Sequence, residues 1–265
     1  MDKTIPLAEA AKAVRAGQTV AFGGMTLYRR PIAFVRALLT HNEAAQELTL
    51  LCFTAGLESD LLVGAGRVKR VHTCYFGLEI FGLAPMFTDL ASRGEIEIVE
   101  ESEASLAFGL RAALAGVGFM PGRGWLDTDM LTLRPDVQTL TDPYTGEEVV
   151  AFPARHCDVA VIHALQADPA GNAIIGRNVA VDLELALLAD TTIVTAEEIV
   201  PRLEKADIAA PAVDCVALAP KGAYPTSCHP LYPLAGGEIM RYVDECKAGN
   251  FAGYLSSQQD EFQSK

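Results

Sequence analysis

Apolar residues fall along the chain in short dense blocks, separated by stretches with helical spacing. Thr19 to Phe22, Leu48 to Phe53 and Val68 to Tyr75 are such blocks. Val159 to His163 reads VAVIH, the near-continuous apolar run of a strand covered on both faces. Thr191 to Thr195 and Val213 to Leu218 repeat that character. EIEIV, Glu95 to Val99, alternates charge with apolar side chains and predicts a half-exposed strand.

The intervening spacing predicts helices. The first covers Leu7 to Ala16 and closes at Gly17; the second covers Ile32 to Thr40 and opens after Pro31. A third covers Ser59 to Ala65, with Ser59 as cap and Gly66 as stop. Ser102 to Leu114 follows, with Ser102 as cap and Ser105 one turn on. Asp182 to Leu188, Gly237 to Lys247 and Phe251 to Ser256 complete the set. Strand alternating with helix predicts an α/β fold, an open and mostly parallel sheet flanked by helices. Residues 1–265 read as a single domain. Gly116 to Glu147, rich in Gly, Pro, Asp and Thr, is expected as a long irregular middle, and a loop of that length is usually functional or faces a partner.

Charge and composition change the picture in two ways. A net charge of -13 argues against a nucleic-acid partner, because phosphates recruit lysine and arginine. It also means that an anionic ligand needs a local source of positive charge or backbone N–H groups. No apolar run approaches the roughly 20 residues of a membrane span. No secretory signal is visible, so a cytoplasmic protein away from membranes is expected. The six cysteines form no CxxC, and the five histidines no HxxxH spacing, so no metal site is expected.

The chemistry starts at TVAFGGMTLYRRP, Thr19 to Pro31. Gly23, Gly24 and the following Met25 sit where a strand hands over to a helix. Their N–H groups are candidates to hold a phosphate or a developing oxyanion above the sheet. The other reading is a tight turn that needs a positive φ. Arg29 and Arg30, just behind, suit a carboxylate or phosphate, or else are solvent-exposed or in a salt bridge to a partner. Glu101 and Glu103 flank Ser102 at a helix start. They are first-turn charges favoured by the helix dipole, or one is a catalytic carboxylate. His163 ends a strand and reads as a hydrogen-bonded structural residue. Ser227 and His229 lie in a Pro/Gly-rich loop with no visible acid partner and no GxSxG elbow, which gives no support to a serine-hydrolase triad.

Several segments, in order, resemble the α subunit of family I coenzyme A transferases, the glutaconate CoA-transferase branch in particular. They include GGMTLYRRP, GAGRVKRVHTCYFG, RGEIEIVEESEASLAFGLRAALAGVGFMP and VDCVALAPKGAYPTSCHPLY. The resemblance implies the NagB/RpiA-like α/β fold and a β subunit of the same fold, in an αβ or α2β2 assembly. It implies a coenzyme A thioester as substrate rather than a permanently bound cofactor. In such transferases a β-subunit glutamate attacks the acyl-CoA, and CoA passes to another carboxylate. This chain has no Glu-Asn-Gly segment of the kind that carries that nucleophile. By the same resemblance, Gly23 and Gly24 belong to a loop that helps bind the thioester oxygen, and the arginines receive substrate charge.

One position departs. Where such α subunits often carry glutamine, this chain has Glu103, which resembles a branch of ring-cleaving CoA-thioester hydrolases whose acid in this subunit does the chemistry. A third branch decarboxylates a glutaconyl-type thioester. A different class, the ligand-sensing module of a sugar-responsive repressor, calls for a DNA-binding helix pair. Only eighteen residues precede Thr19, and the chain is acidic.

Overall fold

The computed structural model describes residues 1–263. Its strands are β1 (Thr19–Phe22), β2 (Leu48–Cys52), β3 (Val68–Thr73), β4 (Glu97–Glu100), β5 (Phe119–Gly122), β6 (Gln138–Thr141), β7 (Glu148–Pro153), β8 (Val159–Ala167), β9 (Ala173–Ile174), β10 (Thr191–Ile199) and β11 (Cys215–Leu218). The main sheet runs β11-β10-β8-β1-β2-β3-β4 with every neighbour parallel, and β9 adds antiparallel to β8. The chain therefore starts at the centre, builds outward to β4, and returns to the other side of β1. That reversal, between β1 and β8, opens a crevice at the carboxyl ends of the strands.

Strand alternation assigns the two faces. Val20 and Phe22 join one core cluster with Phe34, Leu38 and Leu61. Ala21 points the other way, into a cluster with Leu106, Leu110 and Leu185. Helices α1 (Leu7–Ala11), α2 (Ile32–His41), α3 (Leu57–Gly64), α4 (Pro85–Ser92), α5 (Glu103–Leu114), α6 (Met130–Leu133), α7 (Asp182–Leu188), α8 (Gly236–Lys247) and α9 (Phe251–Gln263) surround the sheets. No helix among the described residues is long and apolar enough to cross a membrane.

The structure differs from the sequence reading at several places. Helix α1 stops at Ala11 rather than Ala16. Its last turn tightens through i to i+3 bonds, Lys12 N–H to Glu9 O at 3.1 Å and Ala13 N–H to Ala10 O at 3.1 Å. Ser59 does not cap α3. The cap is Gly56, whose N–H is accepted by Glu58 at 3.2 Å, while the buried Ser59 hydroxyl donates to Glu58 at 2.7 Å. The middle section is not a loop. It holds α6 and a three-stranded antiparallel sheet, β5-β7-β6, around Trp125, Val137, Val150 and Phe152. Trp125 meets Phe152 edge-on at 5.2 Å, and Phe108 of α5 closes the cluster from the main body. Ser102, by contrast, caps α5 as expected, in a reciprocal box with Ser105 (2.8 and 3.2 Å).

Gly24 has φ +82, and a Cβ there would lie 2.4 Å from the carbonyl oxygen of Tyr28. Gly24→Ala is expected to lower stability by more than the roughly 1–2 kcal/mol of the left-handed conformation alone, read as a fall in the urea midpoint at constant slope.

Candidate functional site

The carboxyl edge of the main sheet carries three clusters of polar side chains, and the glycine turn lies at their centre. Gly23 N–H continues the β1 ladder to Val161 O at 2.9 Å. Gly24 N–H donates at 2.8 Å to Oδ1 of Asp182, the fully buried first residue of α7. A Cβ on Gly23 would sit 2.5 Å from that same oxygen. Met25 N–H closes the turn on Tyr28 O at 3.0 Å. The turn does hold a carboxylate, but the carboxylate is the chain's own. The Gly23, Gly24 and Met25 N–H groups, which the sequence offers as donors to a ligand, are all engaged inside the chain.

Both arginines are buried and ion-paired within the chain, not solvent-exposed. Arg29 donates from Nη2 to Asp182 (2.9 Å) and Asn178 O (2.9 Å), and from Nη1 to His163 O (2.6 Å). Its backbone is left-handed, φ +56, held by a bond from its N–H to Ser227 O at 2.7 Å. Arg30 pairs with buried Glu58 and donates to Gly24 O at 3.0 Å. A guanidinium taken out of water needs such partners.

The second cluster stands at the ends of β8 and β10. His163 Nδ1 meets Thr195 Oγ1 at 2.9 Å, and Nε2 meets Glu197 at 2.8 Å. Burial lowers the His163 pKa against the opposing pull of Glu197, which keeps the ring neutral. Glu197 also accepts from Tyr232 OH, Lys221 N–H (2.6 Å) and Gly222 N–H (3.1 Å). Cys228 brings a sulfur to this group, its ligand atom within 4.8 Å of those of His163 and Glu197. Burial, and then Glu197, push that thiol up to about 12. With four donors already on Glu197, hydrogen bonds account for the arrangement. His163 is thus a structural residue, and Ser227 lies 5% exposed with no acid beside it.

The third cluster separates the two glutamates of the EESE segment. Glu101 is buried and receives Arg134 (2.8 Å), Arg155 (2.9 Å) and Ser105 Oγ (2.6 Å), with His72 nearby. Burial pushes its carboxyl up, but His72, Ser105, Arg155 and Arg134 outweigh this and hold it at about 2. Arg134 lies over the Trp125 ring, whose Nε1 donates to Ser102 Oγ at 2.8 Å. Glu103, two residues on, opens α5. It is exposed and has no ion pair or hydrogen bond among the described residues. Its charge is felt by Cys74, whose thiol burial and then Glu103 push to about 12. Asp182, Arg134, Arg155 and Tyr232 did not stand out in the sequence. Their partners lie up to 158 residues away, as Asp182 does from Gly24, and no local spacing signals such a pairing.

A model of the family described as Coenzyme A transferase matches residues 4–217, which span the glycine turn, both glutamates, His163 and Glu197. The chain belongs to the coenzyme A transferase family. The A subunit of glutaconate CoA-transferase from Acidaminococcus fermentans is 35% identical over 256 residues, covering 88% of this chain and 79% of that protein. The crystal structure of that enzyme superposes with a TM-score of 0.88, covering 96% of this chain and 88% of the other. The cholesterol ring-cleaving hydrolase IpdA subunit of Rhodococcus jostii is 30% identical over 283 residues, covering 99% of this chain and 95% of that protein. A variant of the decarboxylase AibA/AibB superposes with a TM-score of 0.89 at 30% identity, covering 97% of this chain and 99% of the other. Proteins similar to this chain are thus named for three different activities, and two of them are named as subunits.

The Glu101 cluster has a pH signature. Its folded pKa of about 2 lies below the ordinary 4.5, so the stability it contributes is complete above pH 4.5 and is lost as pH falls toward 2. The full swing is about 3 kcal/mol at most. Glu101→Gln is expected to lower stability at pH 7 and to flatten the acid limb between pH 4.5 and 2, measured by urea denaturation across that window.

Proposed function

We propose that this chain is the α subunit of a heteromeric CoA-transferase, working in the cytoplasm with a β subunit of the same fold in an αβ or α2β2 assembly. It moves CoA from the acyl-CoA of a dicarboxylic or oxo acid to a free carboxylate. The observation that carries the reading is the match to the A subunit of glutaconate CoA-transferase, in sequence and in fold, along most of the chain. A partner glutamate attacks the thioester carbonyl and expels CoA thiolate, leaving a mixed anhydride. CoA then attacks the glutamyl carbonyl and releases the first acid. The acceptor carboxylate repeats the sequence in reverse and leaves as the new thioester. The absence of a Glu-Asn-Gly segment here fits a nucleophile supplied by the other subunit.

In this scheme Gly23, Gly24 and Met25 form a rigid floor to the cleft. Arg29 and Arg30 fix that floor from behind through Asp182 and Glu58. A second reading, thioester hydrolysis with Glu103 as general base, is favoured by that carboxylate being exposed and unpaired, and by the identity to the hydrolase subunit.

Two experiments separate them. The purified complex is incubated with acyl-CoA, with and without a free carboxylate acid. A new acyl-CoA is expected only when the acid is present, and CoA released without it overturns transfer. In the transferase, Glu103→Gln is expected to keep kcat/KM within about threefold of wild type. In a hydrolase using Glu103 as base, the same change abolishes turnover.

A further inference from the structure

Thr26, φ +46, and Glu79, φ +52, both keep a left-handed backbone, and the Thr26 hydroxyl donates to the Glu79 carboxylate. For a β-branched residue such as threonine that conformation is an outlier. Outliers of this kind persist only where the surroundings over-determine them, and they gather at functional sites.

Thr26 ends the turn that begins at Gly23. It is buried, and each of its polar groups is constrained. Its N–H donates to Thr54 Oγ1 at 3.0 Å, and its hydroxyl goes to Glu79. Its carbonyl packs on Gly56, where a Cβ would lie 2.3 Å from the oxygen. Glu79 arrives from the 77–83 loop, between β3 and α4, and that loop is built to deliver it. Gly77 and Leu83 bridge antiparallel at its neck, and Leu78 and Ala84 are fully buried anchors. Leu78 N–H donates to Gly82 O at 2.8 Å. Glu79 donates its own N–H to Tyr75 Oη at 3.2 Å and accepts Gly82 N–H at 3.0 Å. An exposed glutamate is thus fixed through its backbone and spends its carboxylate on a buried threonine.

A hydrogen bond to a carboxylate and the strain of a left-handed β-branched residue are of the same order. Losing the bond therefore releases Thr26 toward ordinary backbone conformations. Gly24 and Met25, directly before it, then lose their fixed place. Asp182 grips this turn from α7, through Gly24 N–H. Glu79 grips it from the β3 side, through Thr26.

We propose that Glu79 is a positioning residue for the acyl-CoA reaction. It holds Thr26 left-handed and so fixes the turn that floors the cleft, without touching a reacting atom. The proposal rests on the reading of that turn as the floor of an acyl-CoA site.

The test uses the complete complex with glutaryl-CoA as probe and acetate as acceptor, and follows consumption of the thioester, which counts transfer and hydrolysis alike. Glu79→Ala is expected to lower kcat/KM about tenfold, the worth of a hydrogen bond to a charged group. Its melting temperature is expected to stay within about 2 °C of wild type, because the strain released offsets the bond lost. Glu79→Gln keeps an acceptor oxygen and is expected to stay within about threefold of wild type. Adding Thr26→Gly to Glu79→Ala is expected to restore activity to within about threefold, because glycine adopts this conformation without a tether. A role of Glu79 in charge or in general stability gives no such recovery. Glu79→Ala within about threefold of wild type, or a double variant as slow as the single one, overturns the proposal. A crystal structure of the complex carrying Glu79→Ala needs no turnover: Thr26 is expected to leave the left-handed region, and a φ still near +46 overturns the proposal. A wild-type complex inert toward the probe pair counts against the functional reading alone, and the crystallographic outcome then decides whether Glu79 holds Thr26.

Discussion

A buried carboxylate shared between a glycine N–H and a guanidinium holds the working edge of this protein together. Asp182 receives Gly24 and Arg29, and Arg29 reaches on to His163 O and Asn178 O. One side chain thereby ties the turn after β1 to β8, to α7 and to the segment after β9. Its neighbour Arg30 points the other way, to Glu58 on α3. Two consecutive arginines thus fasten the two halves of the sheet to the same turn, one half each. The left-handed residue between the halves is what lets adjacent side chains diverge. Breaking either pair would strand a charge in a water-poor interior, which is far costlier than losing a surface ion pair.

The strands of the main sheet were legible because a doubly covered strand needs little more than an apolar run, and VAVIH supplies one. Ser102 was legible because a capping box is a local device. The small sheet was not: its strands are four to six residues long, and proline or glycine ends two of them, Pro153 and Gly122. Its stability comes from Trp125 and Phe152 meeting across 27 residues of sequence, which no window detects. The partners of the arginines escaped for the same reason. A sequence shows that two cations sit behind a glycine turn, but not that the fold returns an aspartate to meet them.

Glu101 and Glu103 show how two residues of spacing divide fates. The first precedes the cap, faces inward, and is engaged by two arginines and a serine, with His72 nearby. The second is the first helical residue and faces outward, where the helix dipole stabilises its charge without using it.

The small sheet is joined to the body through Phe108, the Trp125–Ser102 bond and the arginines around Glu101. It enters after α5 and leaves before β8, and contributes no strand to the main sheet. Such an appendage is an exchangeable cassette. Lengthening or reshaping it re-registers no strand of the scaffold, which gives evolution a place to diversify reactions while the hydrogen-bonded frame stays untouched.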